Sequence, residues 1–550
     1  MASPTKTPAI FKPVQILLLW LPLASSYCPP TGPVLPPPKV PSDGNLTDSL
    51  VESLRDLVQS SKAWNASTNS FSVKVTSKEE TLASFHHTAD NLNKTGVSKV
   101  TSSSIYRVAS VTKVFTVLAL LLQKNLNLDD PASKYVPELA RIEHYKGITL
   151  RMLASQLGGA PRYAFDLATG LGSKTLRALG FPEASPASGT PVCDTADTGL
   201  CTRSEFFESL KNNNLTWQPG QKAAYSNTGF IILGFVLEKV VSMKFEDIIY
   251  EKISKSLGLS SDTGFELPDP SRAVLPPDGG FELMSVPLGN YDPTAGLYTT
   301  PEDLAKFVRS ILRHDLLSIP QTNLWLKPTS FLSTAQGAVG MPWEIYRVSD
   351  LTPSPRPVDV YTKAGDGVLY AAYVVIIPEY DVGITINVAG QDSYAAGRDL
   401  LDLMVQEVVR YFESLAREQA RNKYTGKYTN DKDSLALTLD QGPGIKITEW
   451  TSQGKSVLKA WAAISGGNDP NVDARIYPVG ENERWRVVFE AVANQRSMTG
   501  IYKDYCANWF SVDQFRYQGL PVDEIDFVTE DGVIKGLKVP GLRQEVSKAS

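Results

Sequence analysis

Two runs of alternating hydrophobic and polar residues lie in the first part of the chain. They read "SFSVKVTS" (Ser70 to Ser77) and "TLASFHH" (Thr81 to His87), and a charged turn at residues 78–80 separates them. A period of two is typical of a β-strand, and two such runs joined by a short polar turn predict a β-hairpin.

The middle of the chain, from about Ser110 to Arg313, has its hydrophobic residues at helical spacing. One predicted helix covers Asp303 to Leu312, and the threonine, proline and acidic residues at its start are typical of a capped first turn. Strand patterns return at Gly367 to Pro378 and at Asp381 to Gly390, which predict a second hairpin.

A long helix is predicted after this second hairpin. Its hydrophobic positions share one face, and they are Leu401, Met404, Val408, Phe412 and Leu415. Strands at both ends of the region with helices between them predict an α/β (α+β) domain, in which one antiparallel sheet is built from the two chain ends and flanked by helices.

The composition changes near Arg421. From there the chain carries six or seven short alternating runs, such as "SLALTL", "GIKITEW", "RWRVVFEAV" and "VIKGLKV", separated by Gly, Asn, Asp and Pro. This pattern predicts a smaller all-β domain, either a barrel or a sandwich. The predicted domains are residues 27–420 and residues 421–550.

The N-terminus has the pattern of a signal peptide over residues 1–26. Lys6 and Lys12 precede the apolar run Val14 to Ala24, which small residues follow. Eleven helical residues rise only about 16 Å, too little for a bilayer core of about 30 Å. We therefore expect a secreted chain without a membrane span after cleavage, and an uncleaved signal anchor is the alternative.

Four sequons and four cysteines agree with the secretory route. The sequons predict glycosylation at Asn45, Asn65, Asn93 and Asn214. An even number of cysteines suits an oxidising compartment. Cys193 and Cys201 bracket a short loop and are expected to pair, which leaves Cys28 with Cys506, although the sequence allows three connectivities.

The overall composition excludes several classes of protein. The chain has 550 residues, 42% of them hydrophobic and 21% charged, which is typical of a globular protein of two or more domains. A net charge of -5 without a long basic run gives no reason to expect nucleic acid as a partner. No CxxC motif or His/Cys cluster is present, so we expect no metal and no cofactor.

A histidine-based catalytic triad has little support. The chain has four histidines, and no serine lies in a G-x-S-x-G motif. Ser110 and Lys113 offer an alternative, because an i, i+3 spacing places both side chains on one helix face. A lysine can activate a serine if its amine is neutral, and burial under "VFTVLALLL" together with a second cation would lower its pKa.

Two further motifs make this pair more specific, because S-x-x-K alone occurs elsewhere in the chain. Tyr225 and Asn227 lie in "YSN" after a Pro-Gly turn and before an apolar helix, where a tyrosine can exchange a proton and an amide can orient a substrate or the lysine. Lys363 and Gly365 lie in "KAG" at the expected start of a strand, and the glycine lets a substrate lie against the strand edge.

The order S-x-x-K, Y-x-N, K-x-G resembles the serine β-lactamase and penicillin-binding protein superfamily, most closely the class C β-lactamases and their esterase and aminopeptidase relatives. The resemblance covers about Tyr106 to Gly390. The proline-rich opening and the β-rich tail look like secreted fungal β-lactamase-like proteins with an added C-terminal domain. The resemblance implies a β-lactamase/transpeptidase-like fold for the first domain.

The resemblance also implies a role for each matched residue. Ser110 would be the acylated nucleophile, Lys113 its base partner and Tyr225 the proton shuttle. Asn227 would orient the substrate or the lysine, and Lys363 would be the partner of a carboxylate or an electrostatic partner. The backbone N–H groups of Ser110 and Asp366 would form the oxyanion hole.

One departure from the family pattern bears on the substrate. The third motif usually carries a hydroxyl at its centre that binds the carboxylate of a β-lactam, and here that residue is Ala364. We therefore expect a small-molecule ester, lactone or amide substrate for a secreted serine hydrolase. An acyltransferase or cyclase of fungal secondary metabolism with the same residues is an alternative, and so is a non-catalytic binding scaffold.

Overall fold

The structure is a computed structural model of the chain. It describes residues 28–41, 46–164, 173–182, 191, 193–194, 199–277, 279–367, 369–464, 472–480, 482–491, 506 and 508–549. The predicted signal peptide and Asn45 lie outside the described residues.

An eight-stranded antiparallel sheet forms the centre of the first domain, and both chain ends of the domain contribute to it. The strand order is β2-β1-β10-β9-β8-β7-β6-β5, and β3 and β4 pair separately. The strands are β1 Ser70–Ser77, β2 Thr81–His87, β3 Tyr106–Arg107, β4 Tyr298–Thr299, β5 Ser330–Phe331, β6 Gly337–Val339, β7 Glu344–Val348, β8 Val358–Gly367, β9 Tyr370–Ile377 and β10 Val382–Ala389. The N-terminal hairpin joins the sheet because β1 pairs with β10 from Ser70 opposite Ala389 to Ser77 opposite Val382.

Helices cover both faces of this sheet. They are α1 Leu46–Ser60, α2 Thr112–Leu121, α3 Leu150–Ala154, α4 Ser173–Ala178, α5 Arg203–Asn212, α6 Asn227–Val241, α7 Phe245–Ile249, α8 Gly280–Met284, α9 Asp292–Ala295, α10 Pro301–Leu312, α11 Ile319–Trp325 and α12 Ser393–Tyr424. One core lies between the sheet and a helical layer that includes α2, α6 and α10. The other core packs α1 and α12 on the opposite face. The predicted α/β (α+β) fold is confirmed.

Helix α2 is buried along nearly its whole length. A helix that is apolar on all sides has to lie inside the protein, because no polar face is left for water. Its first turn therefore holds any polar side chain in a water-poor setting, and Lys113 is in that turn.

The second domain is a barrel. Its strands follow the order β12-β11-β21-β20-β19-β16-β15-β13, and β12 also pairs with β13, which closes the ring of eight. The strands are β11 Gly426–Thr429, β12 Ser434–Thr438, β13 Ile445–Ser452, β14 Lys455–Ser456, β15 Val472–Pro478, β16 Arg484–Ala491, β17 Arg516–Tyr517, β18 Leu520–Pro521, β19 Glu524–Glu530, β20 Val533–Val539 and β21 Gln544–Lys548. The all-β prediction is confirmed, and of its two alternatives the barrel is present.

The barrel domain also contains a helix that the strand pattern did not predict, α13 Val457–Ile464. Its sequence, "VLKAWAAI", is rich in residues of high helix propensity. The helix is inserted between β14 and β15, so it adds to the barrel without replacing a strand.

Helix α12 connects the two domains without a break. It continues through the predicted boundary between residues 420 and 421 and ends at Tyr424. Near its C-terminal end Arg417 donates to the carbonyl oxygen of Gly442, at 3.2 Å, and to that of Asp440 in the barrel domain. The first domain and the barrel are therefore joined by helical backbone and not by a flexible linker.

Two disulfides are present. Cys193 bonds to Cys201, eight residues away, and Cys28 bonds to Cys506, 478 residues away. The long-range bond ties the segment before the first domain to the barrel domain. These are the two pairings that the sequence favoured among its three connectivities.

The described sequons lie at or near the surface. Asn65 and Asn214 are exposed and Asn93 is half-buried. Within the described ranges, the structure has no helix of the length and apolar character needed to span a membrane.

Candidate active site

Ser110 lies in a short 3-10 turn, Ala109–Val111, directly before α2. Ala109 has a φ of 44°, a left-handed conformation that is unusual for a residue with a Cβ. The turn is held by the Thr112 hydroxyl, which donates to the Ala109 carbonyl oxygen at 2.6 Å. Strained backbone of this kind persists only where the surrounding structure enforces it. Here the strained turn holds Ser110, whose Oγ contacts Lys113 and Tyr225.

Lys113 is fully buried and its amine contacts the serine. Nζ donates to Ser110 Oγ at 3.0 Å and to the Thr294 carbonyl oxygen at 2.9 Å. Burial, together with the positive charge of Lys363, lowers the pKa of Lys113 to about 8, although Tyr225 and Glu344 act in the opposite direction. The amine can therefore be neutral at a mildly alkaline pH, as a base needs to be.

Tyr225 also contacts the serine. Its hydroxyl donates to Ser110 Oγ at 2.7 Å. The Nζ atoms of Lys113 and Lys363 lie 5.0 and 5.3 Å from the centre of its ring. Burial alone would raise the pKa of Tyr225, but the two ammonium groups outweigh it and lower the pKa to about 8.

Lys363 is held by a carboxylate from the neighbouring strand. Its Nζ donates to Glu344 Oε1 at 2.6 Å, and the backbone N–H of Ala364 donates to Glu344 Oε2 at 2.8 Å. Burial would lower the pKa of Lys363, but Glu344 and Tyr225 outweigh it and raise the pKa. Lys363 is therefore a permanent cation beside the phenol ring.

The position of the K-A-G motif within its strand differs from the expectation. We expected Lys363, Ala364 and Gly365 at the start of a strand, but they lie inside β8, which ends at Gly367. In the sequence, Gly365 and Gly367 interrupt the hydrophobic pattern. In the structure the first of them is needed for packing inside the strand.

Gly365 lets β8 approach the turn that carries the serine. A Cβ at this position would lie 2.1 Å from the Val108 carbonyl oxygen and 3.1 Å from the Ser110 nitrogen. Strand and turn are thus in backbone contact. Asp366 follows at the exposed end of the strand, and its backbone N–H is one of the two expected oxyanion donors.

Asn227 is the first residue of α6, two residues after Tyr225. Its backbone N–H donates to the Arg162 carbonyl oxygen at 3.0 Å. Its side-chain Oδ1 is buried and has no hydrogen-bond partner among the described residues. Lys113 Nζ donates to Ser110 Oγ and to the Thr294 carbonyl oxygen, and it makes no hydrogen bond to Asn227 Oδ1.

Three contributors to the site were not found from the sequence. Glu344 holds Lys363, the Thr294 carbonyl oxygen binds Lys113, and the exposed Arg162 guanidinium lies 4.9 Å from the ring centre of Tyr225. The first two become visible only when the strand register and the packing of α9 are known. No spacing in the sequence marks Arg162.

The histidines make their contacts away from this cluster. His86 contacts the hydroxyls of Ser72 and Ser102 at 2.9 and 3.1 Å, and burial lowers its pKa to about 4. Over the ranges that the structure describes, no group of three or more His, Cys, Asp or Glu residues could hold a metal ion.

Comparison with protein families covers almost the whole chain. A family model described as Beta-lactamase matches residues 61–408. A second model, described as Beta-lactamase-like-like, C-terminal domain, matches residues 416–550. The short interval between the two matched ranges falls within α12.

Similar proteins occur in fungi. A Beta-lactamase-like protein of Arthroderma benhamiae is 29% identical, and the match covers 97% of this chain and 99% of that protein. A protein of Cochliobolus lunatus named Probable hydrolase clz13 is 25% identical, with 96% and 92% covered. Among solved structures, the octameric penicillin-binding protein homologue from Pyrococcus abyssi is 18% identical, covers 82% of this chain and 99% of its own, and has a TM-score of 0.46.

Proposed function

Since the chain belongs to the β-lactamase family, we propose that it is a serine hydrolase that cleaves esters or amides through an acyl-enzyme on Ser110. One observation carries the proposal. Ser110 Oγ lies 3.0 Å from Lys113 Nζ and 2.7 Å from the Tyr225 hydroxyl, and the pKa values of both groups are lowered to about 8. A serine between two groups that readily give up a proton is suited to nucleophilic attack.

In the proposed acylation step, Ser110 Oγ attacks the carbonyl carbon of the substrate. Its proton passes to the neutral Lys113 amine or to the Tyr225 phenolate. The carbonyl oxygen becomes an oxyanion, which the backbone N–H groups of Ser110 and Asp366 stabilise. Collapse of the tetrahedral intermediate breaks the bond to the leaving alcohol or amine, which takes the proton from Tyr225.

In the deacylation step, water is the attacking group and Ser110 is the leaving group. It loses a proton to the Lys113 and Tyr225 pair, attacks the acyl carbon and releases Ser110, which regains its proton. Lys363 stays protonated throughout and stabilises negative charge on Tyr225. The Asn227 amide orients the substrate or the lysine.

The proposed substrate class follows from Ala364. Its methyl group stands where a hydroxyl would otherwise bind the carboxylate of a β-lactam, so that donor is missing from the site. We therefore place neutral esters, lactones and amides ahead of penicillins. The two disulfides support the further proposal that the chain folds in the secretory pathway, where Asn65, Asn93 and Asn214 would carry glycans.

The direct test is covalent labelling of the purified protein. The protein is incubated with a fluorophosphonate or a p-nitrophenyl ester, and its intact mass is measured beside that of Ser110→Ala. We expect one adduct on the wild type, located at Ser110 by peptide mapping, and none on the variant. Circular dichroism shows whether both proteins are folded.

Two results would overturn the proposal. The first is a folded wild type that forms no adduct, which would favour a non-catalytic scaffold. The second is equal labelling of the wild type and Ser110→Ala, which would place the reactive group elsewhere.

A further inference from the structure

The barrel wall has an incomplete ladder at β16. On one side β16 pairs with β15 from Trp485 to Ala491. On the other side it pairs with β19 only from Arg484 to Arg486. Beyond Arg486 one hydrogen bond continues, from the Val487 N–H to the Asp523 carbonyl oxygen at 2.7 Å. The second half of β16 therefore has an edge that β19 does not cover.

A cavity of about 380 Å³ lies at this edge. Its walls come from β16, from α13 and from residues 511–517, and most of the lining is apolar, with Val457, Phe489, Phe515 and Leu542 among the contributors. Small-molecule sites in proteins are concave, mostly apolar and about 300 to 1,000 Å³ in volume, often at the mouths of β-barrels. The cavity has the size and character of such a site.

Flat aromatic surfaces form one wall of the cavity. Trp461 of α13 stacks on Phe489, with ring centres 5.0 Å apart and an interplanar angle of 14°. Phe489 in turn stacks on the buried Trp450, at 6.0 Å and 7°. The three rings run from the barrel interior to the cavity, so a hydrophobic body placed in the cavity would contact a rigid wall.

The charged side chains that line the cavity leave one positive charge unmatched. Asp523 accepts from Arg486 at 3.0 Å and from the Asp513 N–H at 2.8 Å, and Arg516 pairs with Asp513 at 2.5 Å. Lys455 is exposed at the start of β14 and has no ion pair or hydrogen bond from its amine within the described chain. An anion bound in the cavity would find this ammonium group free.

We propose that this cavity binds an amphiphilic small molecule with an apolar body and an anionic head group. The body contacts Trp461, Phe489 and Phe515, and the head group pairs with Lys455. The site lies in the barrel domain and does not use Ser110, Lys113 or Tyr225, so it is separate from the proposed hydrolase chemistry. The proposed ligand binding therefore does not depend on the result of the Ser110 labelling experiment.

The test uses the full chain carrying Ser110→Ala, so that no probe is hydrolysed. The probe is 1-anilinonaphthalene-8-sulfonate, an aromatic body with a sulfonate, and its fluorescence is followed during titration. We expect saturable binding of one probe per chain. Dodecanoate should displace the probe at least about tenfold better than dodecanol, because only the acid can pair with Lys455.

Two lysine variants test where the head group of the ligand binds, and a third variant tests where its apolar body binds. Lys455→Glu should weaken probe binding about five- to tenfold, since the change replaces attraction by repulsion. Lys459→Glu is the matched control, because Lys459 is exposed on α13 and does not line the cavity, and it should leave the affinity within about twofold. Ala460→Trp should abolish binding by filling the cavity from an exposed helix position.

Several outcomes would overturn the proposal. They are the absence of saturable binding, equal effects of the two lysine substitutions, and equal displacement by dodecanol and dodecanoate. If Ala460→Trp disturbs folding, as seen in its thermal unfolding, the comparison of the two lysine variants still decides.

Discussion

At the residue scale, the important feature is that two ionisable groups share one serine. Lys113 and Tyr225 both contact Ser110 Oγ and both have pKa values of about 8, so their titrations are coupled and belong to the pair. When both groups hold their protons, neither can accept one from Ser110. The pair must lose a proton before the serine can attack.

We therefore predict that kcat/KM for an activated ester rises with pH and levels off above about 8, which is the pKa of both Lys113 and Tyr225. The reason is that the reactive form has one proton fewer on the Lys113 and Tyr225 pair. The measurement is a pH–rate profile in buffers of constant ionic strength. A rate that is flat between pH 6 and 9 would contradict the assignment of this pair as the base.

Glu344→Gln should move this profile toward lower pH. The Glu344 carboxylate raises the pKa of Lys113, so its neutralisation lowers that pKa and shifts the midpoint below about 8. We also expect kcat to fall about tenfold or more, because the amide keeps only one acceptor oxygen for the two donors, the Lys363 ammonium and the Ala364 N–H. Glu143→Gln, at an exposed position, is the control and should leave both midpoint and kcat unchanged.

The residues at the centre of the site are also those that could be predicted from the sequence. An i, i+3 spacing brings Ser110 and Lys113 together wherever the segment is helical, and the Y-x-N motif begins a helix in both the prediction and the structure. Glu344 was not predictable in this way. Its contact with Lys363 depends on the pairing of β7 with β8, and a register is set by the whole sheet.

At the element scale, the site depends on how closely strand β8 lies to the turn before α2. Backbone atoms of Val108 and Ser110 occupy the space where a side chain at Gly365 would begin. Since backbone cannot move aside as the end of a flexible side chain can, this contact fixes the distance between the two expected oxyanion donors. The glycine therefore sets the geometry of the site from the strand side.

Gly365→Ala should reduce kcat by about 100-fold or more and destabilise the protein by about 1 to 3 kcal/mol, because the added methyl group pushes the strand and the turn apart. Gly367→Ala is the matched control two residues along the same strand. A Cβ there would meet only the Ala109 Cβ, at 3.5 Å, which is an ordinary contact. Ester hydrolysis and urea unfolding measure the two effects, and equal losses in both variants would contradict the argument.

The sequence predicted long elements better than short ones. The first hairpin has the predicted bounds, and the strands of the second hairpin differ from the prediction by a few residues at their ends. Strands β5 and β6 are two and three residues long and show no alternation to detect. Helix α13 lies in a region of strand-like spacing, where its local helix propensity was hidden by the surrounding pattern.

At the scale of the whole molecule, a buried charged cluster lies where the sheet of the first domain meets α12. Arg356 precedes β8 and donates to Glu379 at 2.9 Å and to Glu413 of α12 at 3.2 Å. The Tyr380 hydroxyl also donates to Glu413, at 2.9 Å. Arg417, one turn further along α12, reaches the barrel domain. The cluster thus connects the sheet to the helix that carries the second domain.

Arg356→Met should lower the free energy of unfolding by about 3 to 5 kcal/mol at pH 8, because the buried Glu379 carboxylate loses its cation and Glu413 keeps only Arg417, at 3.6 Å. Burial already raises the pKa of Glu379 to about 6. Folding therefore takes up a proton as the pH falls through this range, and we expect the loss to be smaller at pH 5.5. The measurement is urea unfolding at both pH values.

Arg313→Met is the control for this change. Arg313 forms an exposed ion pair with Asp315 at 3.3 Å, and its removal should cost less than about 1 kcal/mol at either pH. If the two variants lost equal stability, the buried cluster would not be the connection described.

The two disulfides differ greatly in span, and this difference has a consequence for the order in which the chain is oxidised. Cys193 and Cys201 are eight residues apart and can meet as soon as both have been synthesised, whereas Cys28 must wait for Cys506, 478 residues later. Closing a small loop is fast compared with closing a very long one. Once the small loop has formed, Cys28 and Cys506 have no partner but each other. Early closure of the short disulfide therefore prevents wrong pairing, because it reduces the three possible connectivities to the one that joins Cys28 to Cys506.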